Sequence, residues 1–121
     1  EVTGLMNAIP KIVFSRTLTS ADWNNSRLVK EATDEEVARL KSESAKDLFI
    51  FGSANLSDTL TTHGLIDEYR ICIVPVVLGG GIPLFKPSAE RLSLRLLESR
   101  PLASGGVILR YEPDRGASPA V

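Results

Sequence analysis

The chain has 121 residues, of which 43% are hydrophobic and 24% are charged, the balance of one ordinary globular domain. Its formal net charge of −1 offers no basic surface, so nucleic acid is not an expected partner. No apolar run approaches the roughly 20 residues of a membrane span, so a membrane is not an expected partner either. The single cysteine, Cys72, excludes an internal disulfide and fits a cytoplasmic protein.

The first 30 residues predict a helix, a strand and a loop. Glu1–Ala8 has the pattern of a helix entered midway, and Pro10 ends it. Lys11–Ser15 (KIVFS) is typical of a short buried strand. Residues 16–30 predict a loop with a short strand at Arg27–Lys30.

A helix with a clear start signal follows. Thr33 and Glu36 have the spacing of a capping box, in which the Thr33 hydroxyl accepts from the Glu36 N–H and the Glu36 side chain reaches back. We expect this helix to run to about Ala45 with Val37 and Leu40 facing inward.

The middle of the chain predicts a strand, a small-residue turn and a helix. Leu48–Phe51 (LFIF) is fully apolar, which is typical of a strand buried on both faces. Gly52-Ser53-Ala54 forms the turn, and the helix Ala54–His63 ends at Gly64, which suits a left-handed cap.

The second half of the chain alternates between apolar and polar residues. Tyr69–Val74, Leu92–Leu96 and Val107–Tyr111 predict half-exposed antiparallel strands, with a long turn at Pro75–Phe85 and a hairpin turn at 104–106. We therefore predict an α/β fold with a mixed sheet, flanking helices and a C-terminal antiparallel hairpin. Residues 1–112 would form one domain and residues 113–121 a loose tail.

Two turns follow predicted buried strands and suit a phosphate. At Gly52-Ser53-Ala54, small residues and a helix N-terminus allow a phosphate to approach the backbone. A plain turn with Ser53 as N-cap is the alternative. At Ser15-Arg16-Thr17, the guanidinium suits a ribose phosphate, and an ordinary exposed loop arginine is the alternative. Both turns would lie at the carboxyl edge of one sheet, which suggests a dinucleotide with an extra 2′-phosphate at Arg16.

The remaining candidates carry weaker signals. Leu78-Gly79-Gly80-Gly81 allows close approach to a flat ligand, with a flexible turn as the alternative. His63, the only histidine, is expected to have a structural role at a helix end. Cys72 is expected to be core or half-buried, and Asp67-Glu68 to mark the entry of a strand. No catalytic triad or metal-ligand spacing emerges, so no metal is expected.

The order of KIVFSRTL, DLFIFGSANL, GLIDEYRICIVPVVLGGGIPLF and VILRY resembles the C-terminal reductase domain of the bifunctional riboflavin-biosynthesis protein. It is more similar still to the stand-alone bacterial proteins of that family, which are called dihydrofolate-reductase-like. The resemblance implies a dihydrofolate-reductase-like fold, an NADPH cofactor and hydride transfer to a pyrimidine- or pterin-like small molecule. The implied activity is like that of a 5-amino-6-(5-phosphoribosylamino)uracil reductase.

The resemblance also implies site residues by position. Those for the cofactor are Ser15, Arg16 and Thr17 at the 2′-phosphate end and Gly52, Ser53, Ala54 and Leu56 at the pyrophosphate. Leu78, Gly79 and Gly80 would border the nicotinamide and the substrate. No residue is implied as the proton donor.

The first strand of the family, its S-L-D-G-like loop and its helix with a G-R-x-T-like turn have no counterpart here. We therefore expect the chain to match about the last two-thirds of a member. Three functions remain open: a riboflavin-type pyrimidine reductase, a folate or pterin reductase, and a non-catalytic dimerising domain with a degenerate nucleotide site. A homodimer is the expected assembly.

Overall fold

A computed structural model of the chain describes residues 2–87 and 90–116. The chain divides into two compact units, Glu1–His63 and Gly64–Val121. Within the described ranges there are three helices and five strands: α1 (Val2–Ala8), β1 (Lys11–Phe14), β2 (Ser26–Val29), α2 (Asp34–Glu43), α3 (Ala54–Thr62), β3 (Tyr69–Ile73), β4 (Leu94–Pro101) and β5 (Val107–Pro113). None of these helices is long and apolar enough to cross a membrane.

In the N-terminal unit, β1 and β2 form a parallel pair in which Lys11 lies opposite Ser26 and Phe14 opposite Val29. Lys11 also closes α1, because its Nζ donates to the carbonyl oxygens of Met6, Asn7 and Ile9 at 2.8–3.0 Å. The helix, the first strand and the short second strand are therefore where the sequence predicts them.

Helix α2 begins at the predicted cap. The Thr33 hydroxyl accepts from the Glu36 N–H at 3.2 Å, while the Glu36 carboxylate contacts Arg27 and Arg39 instead of reaching back to Thr33. Val37 and Leu40 face inward as predicted and, together with Val29 and Leu60, are the buried apolar residues of this unit.

Helix α3 ends at the predicted left-handed glycine, since Gly64 has φ +68°. His63 is the last residue of this unit, and its Nδ1 lies 2.8 Å from Oδ1 of Asp34 at the start of α2. The contact gives His63 the kind of structural role at a helix end that the sequence indicates.

The predicted buried strand at Leu48–Phe51 is wrong. The segment joins neither sheet, and its four side chains are 38–78% exposed. The rings of Phe49 and Phe51 stack at 6.0 Å, as i and i+2 side chains do on extended backbone. A strand that is buried on both faces must belong to a sheet that other elements cover on both faces, and this segment belongs to no sheet.

In the C-terminal unit, the three strands form an antiparallel sheet in the order β3-β5-β4. Tyr69, Ile71 and Ile73 lie opposite Tyr111, Leu109 and Val107, which forms one largely apolar face. The hairpin between β4 and β5 turns at the predicted place, where the Leu102 N–H donates to the Gly106 carbonyl at 2.8 Å. The C-terminal antiparallel hairpin is therefore confirmed.

Two predictions for this unit are corrected. The strand predicted at Leu92–Leu96 is β4, which runs over Leu94–Pro101 with an irregularity between Leu96 and Glu98 that interrupts the alternation. Cys72 is exposed rather than core or half-buried, because it shares the charged face of the sheet with Arg70 and Arg110.

Two hydrogen bonds connect the residues after β5 to earlier parts of this unit. The Asp114 N–H donates to the Ser93 carbonyl at 2.8 Å, and Arg115 Nη2 donates to the Gly64 carbonyl at 2.7 Å. Residues 117–121 of the predicted tail lie outside the described residues. The boundary of the domain at residue 112 stays a prediction.

Candidate functional site

The carboxyl ends of β1 and β2 lie side by side. The parallel register ends with Phe14 opposite Val29, and the Ser15 N–H extends it by donating to the Val29 carbonyl at 3.0 Å. Arg16 lies two residues after the end of β1, and Lys30 follows directly after β2. The parallel pairing therefore brings two cationic residues, 14 positions apart in sequence, to one edge of the sheet.

The Ser15–Thr17 turn is shaped by its own serine. Ser15 Oγ accepts from the backbone N–H groups of Thr17 at 3.3 Å and Leu18 at 3.2 Å. It also lies 3.4 Å from the Thr17 hydroxyl. The Ser15 hydroxyl thus fixes the turn from which the Arg16 side chain, 80% exposed, extends.

An open cavity of about 670 Å³ lies at this edge, within the size range of small-molecule sites. Four cationic and two carboxylate side chains line it, which is a formal surplus of two positive charges. The lining residues are Arg16, Arg27, Leu28, Val29, Lys30, Glu31, Thr33, Glu36 and Arg39.

The cations of this cavity differ in how they are paired. Arg27 lies 3.9 Å from Glu36 and 3.3 Å from Glu43, and Arg39 contacts the same two carboxylates. These four side chains, two of each charge, neutralise one another on α2 and β2. With these four set aside, Arg16, Lys30 and Glu31 leave a net positive charge of one at the strand ends.

At the strand ends, pairing is weak. Arg16 Nε lies 3.6 Å from Glu31 Oε1, with both side chains more than half exposed, and such pairs contribute little to stability. Lys30 has no ion pair within the described ranges. An unpaired cation and a loosely paired one at a shared edge suit an anionic ligand.

The second predicted turn also leaves space for a ligand. It consists of Gly52-Ser53-Ala54. Gly52 has φ +68°, which disfavours any other residue, and nothing lies within 4 Å of the place a Cβ would occupy. Ser53 makes no side-chain cap, so the plain N-cap alternative for its hydroxyl is not realised, and the first turn of α3 holds no acidic residue. A helix start with these properties suits an anion. Leu56 is half-buried on the same helix.

The prediction that both turns lie at the edge of one sheet is wrong, because the segment before Gly52 joins neither sheet. Arg16 lines the cavity, whereas residues 52–56 do not. The third predicted set, Leu78–Gly80, lies in the C-terminal unit within an exposed segment that forms no helix or strand. Gly79 has φ +76°, and Leu78 is 80% exposed.

Sequence reasoning missed Lys30 and Glu31. The sequence predicts a strand at Arg27–Lys30, whereas β2 ends at Val29, so that both residues follow it. The missing step was the parallel pairing of this strand with β1. That pairing is the signal that places the two residues beside Arg16.

Two arginines of the C-terminal unit are paired closely with one glutamate. Arg110 donates to both carboxylate oxygens of Glu68, at 2.8 Å and 3.3 Å, and Arg70 Nε donates to Oε2 at 2.5 Å. The hydrogen bonds from Arg110 and then Arg70 lower the pKa of Glu68 to about 2. Glu68 is thus part of an ion-pair network and not of a carboxylate pair. In the described part of the chain, no three His, Cys, Asp or Glu side chains group as a metal site would need.

These features agree with the comparisons to known proteins. The model of the RibD C-terminal domain family matches residues 3–108, and the chain belongs to this family. Over 111 residues it is 39% identical to the uncharacterized Bacillus subtilis (strain 168) protein YyaP, with 92% of this chain and 58% of YyaP covered.

Solved structures show the same fold. A "Putative riboflavin biosynthesis protein" from Shewanella sp. PV-4 superposes with a TM-score of 0.77 at 28% identity, over 88% of this chain and 61% of that one. RibD of Acinetobacter baumannii superposes with a TM-score of 0.61 at 22% identity, over 75% of this chain and 27% of that one. The dihydrofolate-reductase-like fold class is confirmed, and the chain spans about three-fifths of the relative YyaP.

Proposed function

We propose that this chain carries the cofactor-binding part of a cytoplasmic, NADPH-dependent reductase that transfers hydride to a pyrimidine- or pterin-like small molecule, as in riboflavin biosynthesis. The observation that carries the proposal is the meeting of Arg16 and Lys30 at the carboxyl edge of two parallel strands, where they line an open cavity. Ligands of open α/β sheets bind at that edge. Membership of the RibD C-terminal domain family supports the reaction type.

The residues present fit the phosphate groups of NADPH. Arg16 and Lys30 supply the positive charge that a 2′-phosphate requires, and Ser15 fixes the turn that holds Arg16. The open glycine turn at Gly52 and the N-terminus of α3, where Ser53 makes no side-chain cap and the first turn holds no acidic residue, suit the pyrophosphate.

Each residue set would have a separate task. When bound, NADPH supplies the hydride. Ser15, Arg16 and Thr17 would hold and orient the 2′-phosphate end, with Lys30 as a further cation. Gly52, Ser53, Ala54 and Leu56 would hold the pyrophosphate, and Leu78, Gly79 and Gly80 would border the nicotinamide and the substrate. Orientation and electrostatics are then the contribution of the chain to the reaction.

The test is a fluorescence titration of this chain with NADPH and with NADH. We expect Arg16→Ala to weaken NADPH binding about tenfold, because a charge-assisted contact is lost, and to leave NADH binding nearly unchanged. Arg95→Ala is the matched control, since Arg95 is an exposed, ion-paired arginine of the C-terminal unit. Absence of NADPH binding by the unmodified chain, or an equal loss for both cofactors in Arg16→Ala, would refute the proposal.

A second candidate is a non-catalytic dimerising domain, and the exposed run Leu48–Phe51 favours it. Four large apolar side chains on extended backbone invite pairing with another chain. Sedimentation of the unmodified chain and of Phe51→Asp, at 78% exposure the most accessible of the four, tests this candidate. A dimer that Phe51→Asp dissociates, combined with no NADPH binding, would favour it over the reductase. A monomer would exclude it.

A further inference from the structure

Glu31 is the one carboxylate of the cavity that competes for a cation at the strand ends. It follows Lys30 directly, and its Oε1 lies 3.6 Å from Arg16 Nε. The other lining carboxylate, Glu36, is paired with Arg27 and Arg39. Within the described ranges, Arg16 is the sole ion-pair partner of Glu31.

A phosphate dianion and Glu31 would need the same guanidinium. If the phosphate pairs with Arg16, Glu31 loses its partner and is left next to another negative charge. If the ligand carries a neutral hydroxyl at that position, the Arg16–Glu31 pair stays intact. A carboxylate beside a ribose can also accept from the 2′-hydroxyl. Glu31 therefore disfavours the binding of a 2′-phosphorylated nucleotide and is compatible with a nucleotide that has a free 2′-hydroxyl.

We propose that Glu31 is a specificity-determining residue of the nucleotide site, which reduces the preference of the chain for 2′-phosphorylated nucleotides over unphosphorylated ones. The inference rests on the proposed function and deepens it, because it concerns how the same edge discriminates between two cofactor classes. Glu31 and Arg16 act in opposite directions: Arg16 attracts the 2′-phosphate, and Glu31 limits that attraction.

The experiment is calorimetric titration with adenosine 2′,5′-bisphosphate and with adenosine 5′-monophosphate, which report binding without activity. We expect Glu31→Gln to tighten the bisphosphate about three- to tenfold, the scale of an exposed charge interaction, and to change the monophosphate by less than about twofold. Glu35→Gln is the matched control. It removes the same charge four residues away, from an exposed side chain that does not line the cavity, and should change neither ligand.

Three results would overturn the inference. These are no gain for the bisphosphate in Glu31→Gln, an equal gain for both ligands, or the same gain in Glu35→Gln, since the last two indicate a general charge effect. Arg16→Ala separates this failure from that of the proposed function. If Arg16→Ala selectively weakens the bisphosphate while Glu31→Gln changes nothing, only the role of Glu31 fails. If the unmodified chain binds neither ligand, both fail.

Discussion

The two units of the chain carry similar charged side chains but use them differently. At the strand ends of the N-terminal unit, Lys30 has no ion pair in the described part of the chain, and Arg16 has one long contact with an exposed carboxylate. On the sheet face of the C-terminal unit, Arg110 makes two hydrogen bonds to Glu68 and a 3.5 Å contact with Glu98. Cations at the strand ends are thus available to a ligand, whereas Arg70 and Arg110 on the sheet face are paired with Glu68.

The contrast teaches where to look for function in a chain whose net charge of −1 points to no ligand. Arginine count does not separate the two regions, because the sheet face also presents Arg70 and Arg100. What separates Arg16 and Lys30 from Arg70 and Arg110 is that the latter two share an ion pair with Glu68, and that the former two follow the ends of parallel strands. The predictions below test whether removal of charge affects binding in one unit and stability in the other.

The largest expected effect concerns the N-terminal unit, whose stability should come from its buried residues and not from its cavity. Leu40→Ala should lower the free energy of unfolding by about 3 kcal/mol, because Leu40 is only 5% exposed. Leu48→Ala, at a side chain that is 46% exposed, is the matched control and should cost less than about 1 kcal/mol. Urea denaturation followed by circular dichroism measures both. Equal losses would show that the assignment of the core is wrong.

Lys30→Ala should affect binding without affecting stability. We expect affinity for adenosine 2′,5′-bisphosphate to fall about tenfold, which is about 1.4 kcal/mol, and its dependence on salt to weaken. Lys46→Ala is the control, since Lys46 is exposed in the same unit but does not line the cavity. Urea denaturation of Lys30→Ala should match the unmodified chain within about 0.5 kcal/mol. A larger loss of stability would show that Lys30 has a structural role. The difference between the cations of the two units would then not hold.

Arg110→Gln should show the opposite behaviour. Loss of its hydrogen bonds to Glu68 should lower the free energy of unfolding by about 1 kcal/mol, with nucleotide binding unchanged. Arg95→Gln, an arginine that is 62% exposed on the same sheet, should cost less than about 0.5 kcal/mol. Chemical denaturation at pH 7 compares the two. If both variants cost the same, the Glu68 network is no more stabilising than an ordinary surface pair.

The smallest effect is a pH dependence. The pKa of Glu68 is lowered in the folded state from 4.5 to about 2, so its ionised form stabilises the fold. That contribution is fully present above the unfolded pKa of 4.5 and is lost as the pH falls towards 2. The difference in unfolding free energy between the unmodified chain and Glu68→Gln should therefore be constant from pH 6 to 7 and disappear near pH 2. A difference that persists there would contradict the ion-pair account.

Local signals predicted local structure well. The cap at Thr33, the inward positions Val37 and Leu40, and the glycine that ends α3 depend on neighbours within a few residues. The alternation of β3 also predicts that Cys72 is exposed. If Tyr69 and Ile71 face inward, then Arg70 and Cys72 must face outward. The burial predicted for Cys72 overlooked that alternation.

Features that depend on distant partners could not be predicted in this way. Leu48–Phe51 has the composition of a buried strand, but burial needs neighbours that neither sheet provides. Arg16 could be proposed from its place after a strand, whereas Lys30 and Glu31 required the register of a parallel pair formed across 11 intervening residues, from Phe14 to Ser26. Arg16 could therefore be predicted from the sequence, whereas the positions of Lys30 and Glu31 depend on the pairing of β1 with β2.

The most direct test of the central claim is an amide chemical-shift titration of the isotope-labelled chain with adenosine 2′,5′-bisphosphate. The account predicts that the largest shifts occur at residues 15–17 and 30–31, and that the strands β3, β4 and β5 stay unchanged. Repetition with Arg16→Ala should remove the shifts at residues 15–17. Shifts centred on Arg70, Arg100 and Arg110 of the C-terminal sheet, or none at the strand ends, would contradict the assignment of the phosphate site to the edge of β1 and β2.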